Sequence, residues 1–143
     1  MEANESNNCV ATATAMVIVT RPDLTLDTVS PPPATKARGT SFPVTDTVRN
    51  VGTVPSVASS STRYYLSLDA MKSANDVLLT GSRAVPGVAG GATHSGTITV
   101  AIPTATPLGA YFLLACADSG NTVIETNETN NCASSGDTVT VTP

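Results

Sequence analysis

Acidic, amide and thiol side chains gather twice in this chain with one spacing. Glu125, Asn127, Glu128, Asn130, Asn131 and Cys132 lie in the run Glu-Thr-Asn-Glu-Thr-Asn-Asn-Cys. Glu2, Asn4, Glu5, Asn7, Asn8 and Cys9 reproduce six of its eight positions at a constant offset of 123 residues. Two carboxylates could act as acid and base on a glycosidic bond, but that chemistry needs them on opposite walls of a cleft. One acidic loop in a small domain offers no such cleft. A cluster that recurs within one chain belongs to a repeated unit rather than to a unique active centre. We therefore read it as side-chain hydrogen bonding that pins the turn before a final strand, and assign no catalytic residue.

The cysteines follow the same repeat. Cys116 and Cys132 bracket a loop of about 15 residues, for which a disulfide is worth about 3 kcal/mol. Cys9 is the counterpart of Cys132, and its own partner would sit 123 positions before Cys116, ahead of the first residue. Cys9 is thus expected as an unpaired or intermolecular thiol. A second polar cluster, Ser67, Asp69, Asn75 and Asp76, gathers oxygen donors on a short loop, and calcium is the metal such donors suit. Asp69 and Asp76 are weak candidates, because EF-hand spacing is absent and Lys72 puts a positive charge among them. The alternative has both aspartates accepting turn amides. His94, the single histidine, reads as a solvated surface residue. Gly87 to Gly91 lacks the lysine and the following helix of a phosphate loop.

These side chains need strands to hold them. Aromatics make up 3% of the chain and tryptophan is absent, while valine, threonine, serine and alanine dominate, as in short strands joined by tight turns. With a net charge of -4 and seven scattered basic residues, no cationic stripe meets a phosphate backbone, so nucleic acid is excluded as a partner. The longest apolar run, Ala110 to Ala117, is too short to span a bilayer, and no membrane insertion is expected.

Period-two alternation marks Leu24 to Val29, closed by Pro31 to Pro33, and Ser41 to Arg49, with Phe42, Val44 and Val48 on one face. Asp46 shares the parity of that apolar face. Either a bulge turns it outward or it is buried and bonded to backbone amides; a functional carboxylate is the third reading. Ser56 to Ser61 reads as an exposed loop. Further strands are predicted at Thr62 to Ser67 (with Tyr64 or Tyr65 inward), Val77 to Val85, Thr93 to Ile102, Ala110 to Asp118 and Thr138 to Thr142. About seven antiparallel strands with turn signals every ten or so residues predict an all-β, immunoglobulin-like sandwich.

Four local patterns in this order resemble the CARDB family, the bacterial cell-adhesion-related domain. They are Pro22-Asp23-Leu24, Asn50-Val51-Gly52, Tyr65-Leu66-Ser67-Leu68-Asp69 with Asp76-Val77-Leu78-Leu79, and Asn127-Glu128-Thr129-Asn130-Asn131. The resemblance implies an exported, often tandem module of bacterial or archaeal surface proteins and secreted enzymes, without catalytic residues. Residues 1–20 are then the equivalent of the last strand of a preceding repeat, and 21–143 one complete repeat. The expected function is a structural repeat of an extracellular adhesive or fibrous assembly, with Met16, Val17, Ile18 and Val19 as assembly residues. Its partners are other copies of the module and a surface or matrix ligand; no cofactor is required. The tail is read as a domain stub, an edge strand or an exchanged strand. The alternative function is a calcium- or polysaccharide-binding accessory module of a secreted enzyme or adhesin.

Overall fold

We describe residues 18–143 of a computed structural model of the chain; Cys9, Met16 and Val17 lie outside the described residues. Strand formation follows the alternation. In β3 (Ser41–Asn50) every second residue is buried, from Phe42 through Val44, Asp46 and Val48 to Asn50. The other strands are β1 (Leu24–Val29), β2 (Thr35–Ala37), β4 (Ser60–Ser67), β5 (Val77–Val85), β6 (Thr93–Ala101), β7 (Gly109–Cys116) and β8 (Cys132–Thr142). They join in the order β1-β3-β6-β5-β4-β7-β8-β2. This single curled sheet folds its two halves face to face as an immunoglobulin-like sandwich.

β5 makes the fold in the sheet. It pairs with β4 at both of its ends, but Leu79 to Gly81 bulge away so that Thr80 pairs with Ala101 of β6. Gly81 takes φ +114, and a Cβ there would lie 3.0 Å from the Thr99 carbonyl oxygen, so glycine is what lets β5 reach both halves. Pro43 is tolerated in β3 because β1 covers that strand only from Asp46 to Asn50, leaving Pro43 on the uncovered half.

Between the halves, Leu24, Val44, Val48, Tyr64, Leu66, Leu79, Val100, Leu113 and Val139 pack with almost no exposed surface. Burial of each large apolar side chain contributes about 1.5–3 kcal/mol. Eight strands form rather than about seven. The additional one, β2, runs parallel to β8, so the sandwich is not wholly antiparallel. β8 begins at Cys132, six residues before the predicted start at Thr138. The predicted loop is exposed at Val57 to Ser59 but anchored at its two ends by buried Ser56 and Ser60: the Ser56 amide donates to the Val88 carbonyl, and the Val88 amide donates to Ser56 Oγ.

Asp46 is fully buried, and its partners are side chains rather than the backbone amides expected. Arg83 Nε donates to Asp46 Oδ2 at 2.8 Å, Arg83 Nη2 donates to Oδ1, and the Tyr64 hydroxyl donates to Oδ2. Residues of β3, β4 and β5 are thereby tied together across the core. Burial works against the Arg83 charge, but bonding to Asp46 and its negative charge outweigh that and raise the guanidinium pKa. Burial and then Asp46 raise that of Tyr64. Gly96 makes room for Arg83, since a Cβ would sit 2.9 Å from Arg83 Cδ. His94 is partly exposed, as on a half-exposed strand, but has a partner: its Nδ1 lies 2.9 Å from Arg83 Nη1. As arginine only donates, that nitrogen accepts.

Removing one partner leaves a buried charge uncompensated. Asp46→Ala is expected to cost about 3–5 kcal/mol in urea denaturation, whereas Asp46→Leu combined with Arg83→Met should recover most of that loss. Equal losses in the single and double variants would show that the pair is not coupled.

Candidate functional site

The recurrent acidic run builds the end of the sandwich at which the chain enters. Its segment 125–132 wraps around Arg21 to Leu24, the residues that follow the tail 1–20. The Thr126 amide donates to the Pro22 carbonyl at 2.9 Å and its hydroxyl to the Arg21 carbonyl at 3.4 Å. Asn130 Nδ2 donates to Asp23 Oδ1 at 2.9 Å, and Glu125 Oε1 accepts the Leu24 amide.

The opposite flank of Arg21 to Leu24 is held by the Asn50 turn. Asn50 is fully buried; its Oδ1 accepts the amides of Asp23 (3.1 Å) and Gly52 (3.0 Å), and its Nδ2 donates to the carbonyls of Val54 and Val88. All the hydrogen-bonding capacity of one amide is used on the turn and the entering chain. The Val51 amide donates to the Asp23 carbonyl at 2.7 Å. Glycine is required at 52 by close approach: a Cβ would lie 2.7 Å from the Arg21 carbonyl oxygen and 2.9 Å from the Asp23 nitrogen.

Within the run, side chains brace their own turn. The Glu125 amide donates to Glu128 Oε1 at 2.9 Å, the Thr129 amide to Asn127 Oδ1 at 3.0 Å, and Asn131 Nδ2 to Glu125 Oε2. Glu125 is 2% exposed. Burial first, then the negative charges of Glu128 and Asp118, raise its pKa above the ordinary 4.5, although Asn131 and the Leu24 amide pull the other way. A disulfide between Cys116 and Cys132 closes the base of the loop. Inside that loop sits a buried carboxylate that the sequence reading did not single out. Asp118 is 1% exposed at φ 38 and accepts the amides of Thr122 (3.0 Å) and Val123 (2.9 Å). Its one sequence signal is the Asp-Ser-Gly-Asn turn composition.

The 68–76 loop uses its carboxylates internally. Asp69 Oδ1 accepts the Met71 amide at 2.8 Å; Asp76 accepts the Ser73 amide at 2.6 Å and the Ser73 hydroxyl at 2.9 Å. Burial would raise the Asp76 pKa, but the Ser73 and Ser67 bonds and the charge of Lys72, 3.6 Å away, hold it below the ordinary carboxylate value. Among the described residues no three His, Cys, Asp or Glu side chains converge as metal ligands. Ile18 and Val19, of the four predicted assembly residues the two that are described, are 71% and 67% exposed.

Comparison with known proteins adds a family to this geometry. The CARDB family model matches residues 21–135. A CARDB domain of the PF1109 protein from Pyrococcus furiosus, solved in complex with di-metal ions, is 23% identical, with a TM-score of 0.58 over 87% of this chain and 96% of that one. A solution structure of the same domain is 25% identical, with a TM-score of 0.58 over 86% of this chain and 97% of that one. A domain from Methanosarcina acetivorans, of a protein named as belonging to the cell surface, is 20% identical, with a TM-score of 0.56 over 85% and 93%. A search of curated proteins gives no match. No helix among the described residues is long and apolar enough to cross a membrane.

Glu125 can be tested directly. Glu125→Ala strands the buried Leu24 amide and should cost about 1–3 kcal/mol. Glu125→Gln should cost less, because its oxygen can keep the Leu24 amide and its NH2, in the place of Oε2, can donate to Asn131 once that amide turns over to present Oδ1, an atom now buried without a partner. A carboxyl whose pKa is raised by folding holds its proton longer than the unfolded chain does. Its contribution therefore weakens as pH rises from the ordinary value through the folded one. Thermal melts from pH 4 upward should show that slope in the wild type and a flatter one in Glu125→Gln.

Proposed function

The chain belongs to the CARDB family, and on that premise we propose that it is a non-enzymatic structural repeat module of an extracellular adhesive or fibrous assembly, in which the strand ahead of residue 21 mediates head-to-tail contact between modules. One observation carries this reading: the acidic run that recurs at offset 123 is what grips Arg21 to Leu24. A device repeated along the chain and spent on holding the joint between copies is a device for stringing modules together. Support for an extracellular or cell-surface location in a bacterium or archaeon comes from the disulfide, which persists in an oxidising compartment. The cell-surface protein from Methanosarcina acetivorans that shares the fold adds to it. The buried carboxylates, Asp46, Glu125 and Asp118, are each engaged by neighbouring amides, hydroxyls or guanidinium, and none is free for acid-base work.

The second reading, a cation-binding accessory module, draws on the metal-bound Pyrococcus furiosus domain. Asp69 and Asp76 fit it poorly, since both serve their own turn amides and Lys72 occupies the place of a cation beside Asp76. A polysaccharide platform fits poorly as well: Tyr64, Tyr111 and Phe42 are in the core, and Lys72 lies over the Tyr65 ring at 4.3 Å.

Electron microscopy and sedimentation of the full chain, against the chain lacking residues 1–20, test the first reading. Head-to-tail species that disappear with the deletion support it; the same monomer in both samples would sink it. In calorimetric titration with calcium we expect no heat of binding. A saturable heat abolished by Asp69→Asn or Asp76→Asn would instead establish the second reading.

A further inference from the structure

The chain enters and leaves the sandwich at opposite poles. Leu24 pairs with Asn50 at the end of β3, and Cys132 faces Cys116, both at the pole built by the acidic run. β8 then runs the length of the module, its 11 residues spanning roughly 35 Å. At the far pole Thr142 pairs with Ala37 and its carbonyl accepts the Arg38 amide at 3.0 Å.

The repeat gives the entrance pole a neighbour. At the offset of 123, Val19 occupies the place of Thr142, the last residue of β8, and Thr20 that of Pro143. The first residue fixed to this module is Arg21, through its carbonyl. On that alignment a single residue, Thr20, lies between the counterpart of the last β8 residue and the anchored start of this module, a reach of about 7 Å at full extension. Around that anchor, apolar side chains stand in water: Val51 is 51% and Ile124 69% exposed, and Val19 lines a concavity with Val51, Gly52 and Thr126. At the exit pole Leu108 is 52% exposed beside Gly109, which pairs with Val141. A tether this short raises the effective concentration of one pole at the other far enough for a modest apolar contact to close.

Building on the module reading above, we propose that the pole bearing Val51 and Ile124 docks on the opposite pole, bearing Leu108, of a second copy of the module joined ahead of it, so that copies stack end to end as a stiff axial rod. Stiffness comes from the anchor. Arg21 to Asp23 are hydrogen-bonded on one side by Thr126 and Asn130 and on the other by Asn50 and Val51, with the Gly52 backbone packed against them. The joint has no slack residue to flex about except Thr20.

Residues 2–20 already supply the counterpart of 125–143, so placing residues 21–124 ahead of Glu2 completes a leading copy and keeps the native joint. Small-angle scattering of that two-module chain should give a longest dimension about twice that of one module, with a narrow distribution of interdomain distances. Val51→Ser with Ile124→Ser in the second copy, both at exposed positions, should broaden the distribution without lowering the melting temperature. A wild-type joint that is folded back or broadly distributed would overturn the rod. An unchanged distribution in the double variant would overturn the apolar docking. The module reading fails separately if mass spectrometry still finds Cys9 as a free thiol, because the added copy supplies the counterpart of Cys116.

Discussion

Asp46 carries a carboxylate at a position whose alternation directs it into the core, and a buried charge is tolerated only where a hydrogen-bonding counter-charge follows it inside. Arg83 is that counter-charge, and bringing it there shapes much of the sandwich. The guanidinium comes from β5, the strand that joins the two halves of the sheet. Its path over β6 is open because Gly96 has no side chain. Tyr64 closes the third side from β4. Three strands that meet in no single ladder are thus held in one register by one cluster, which apolar contacts, being non-directional, do not impose.

The entrance pole works by the same logic with amides in place of a guanidinium. Asn50, Glu125 and Asn130 are spent on the backbone or side chains of Arg21 to Leu24, and the disulfide restrains the loop that delivers two of them. A chain segment without regular structure is thereby ordered by partners from both sides, which satisfies the backbone groups that a linker would otherwise leave to water.

Period two made β1, β3 and β6 legible, because each sets apolar residues on one face against hydroxyls or charges on the other, whereas β7 was legible as an apolar run, its last four residues buried on both faces. β2 was not legible. Three residues, Thr35 to Ala37, carry no periodic signal, and they are held by parallel pairing with β8 more than a hundred positions away. The first half of β8, Ala133 to Asp137, is small and polar with a positive-φ glycine at 136, so it reads as a turn although β7 pairs with part of it. The clusters at Asp46 and Glu125 show the same division: the charges could be placed inside or at a turn from parity and recurrence, but not given partners.

By itself the sequence determined the fold class, the family and the recurrence of one acidic run, because periodicity and recurrence are properties of neighbouring residues and of self-comparison. Only the tertiary structure decided what the run touches. Its contacts reach across 101 and 107 positions to Leu24 and Asp23, just as Arg83 reaches 37 positions back to Asp46. Such pairings arise when the two halves of the sheet close on each other, and no local pattern encodes which distant backbone amide a buried carboxylate will meet.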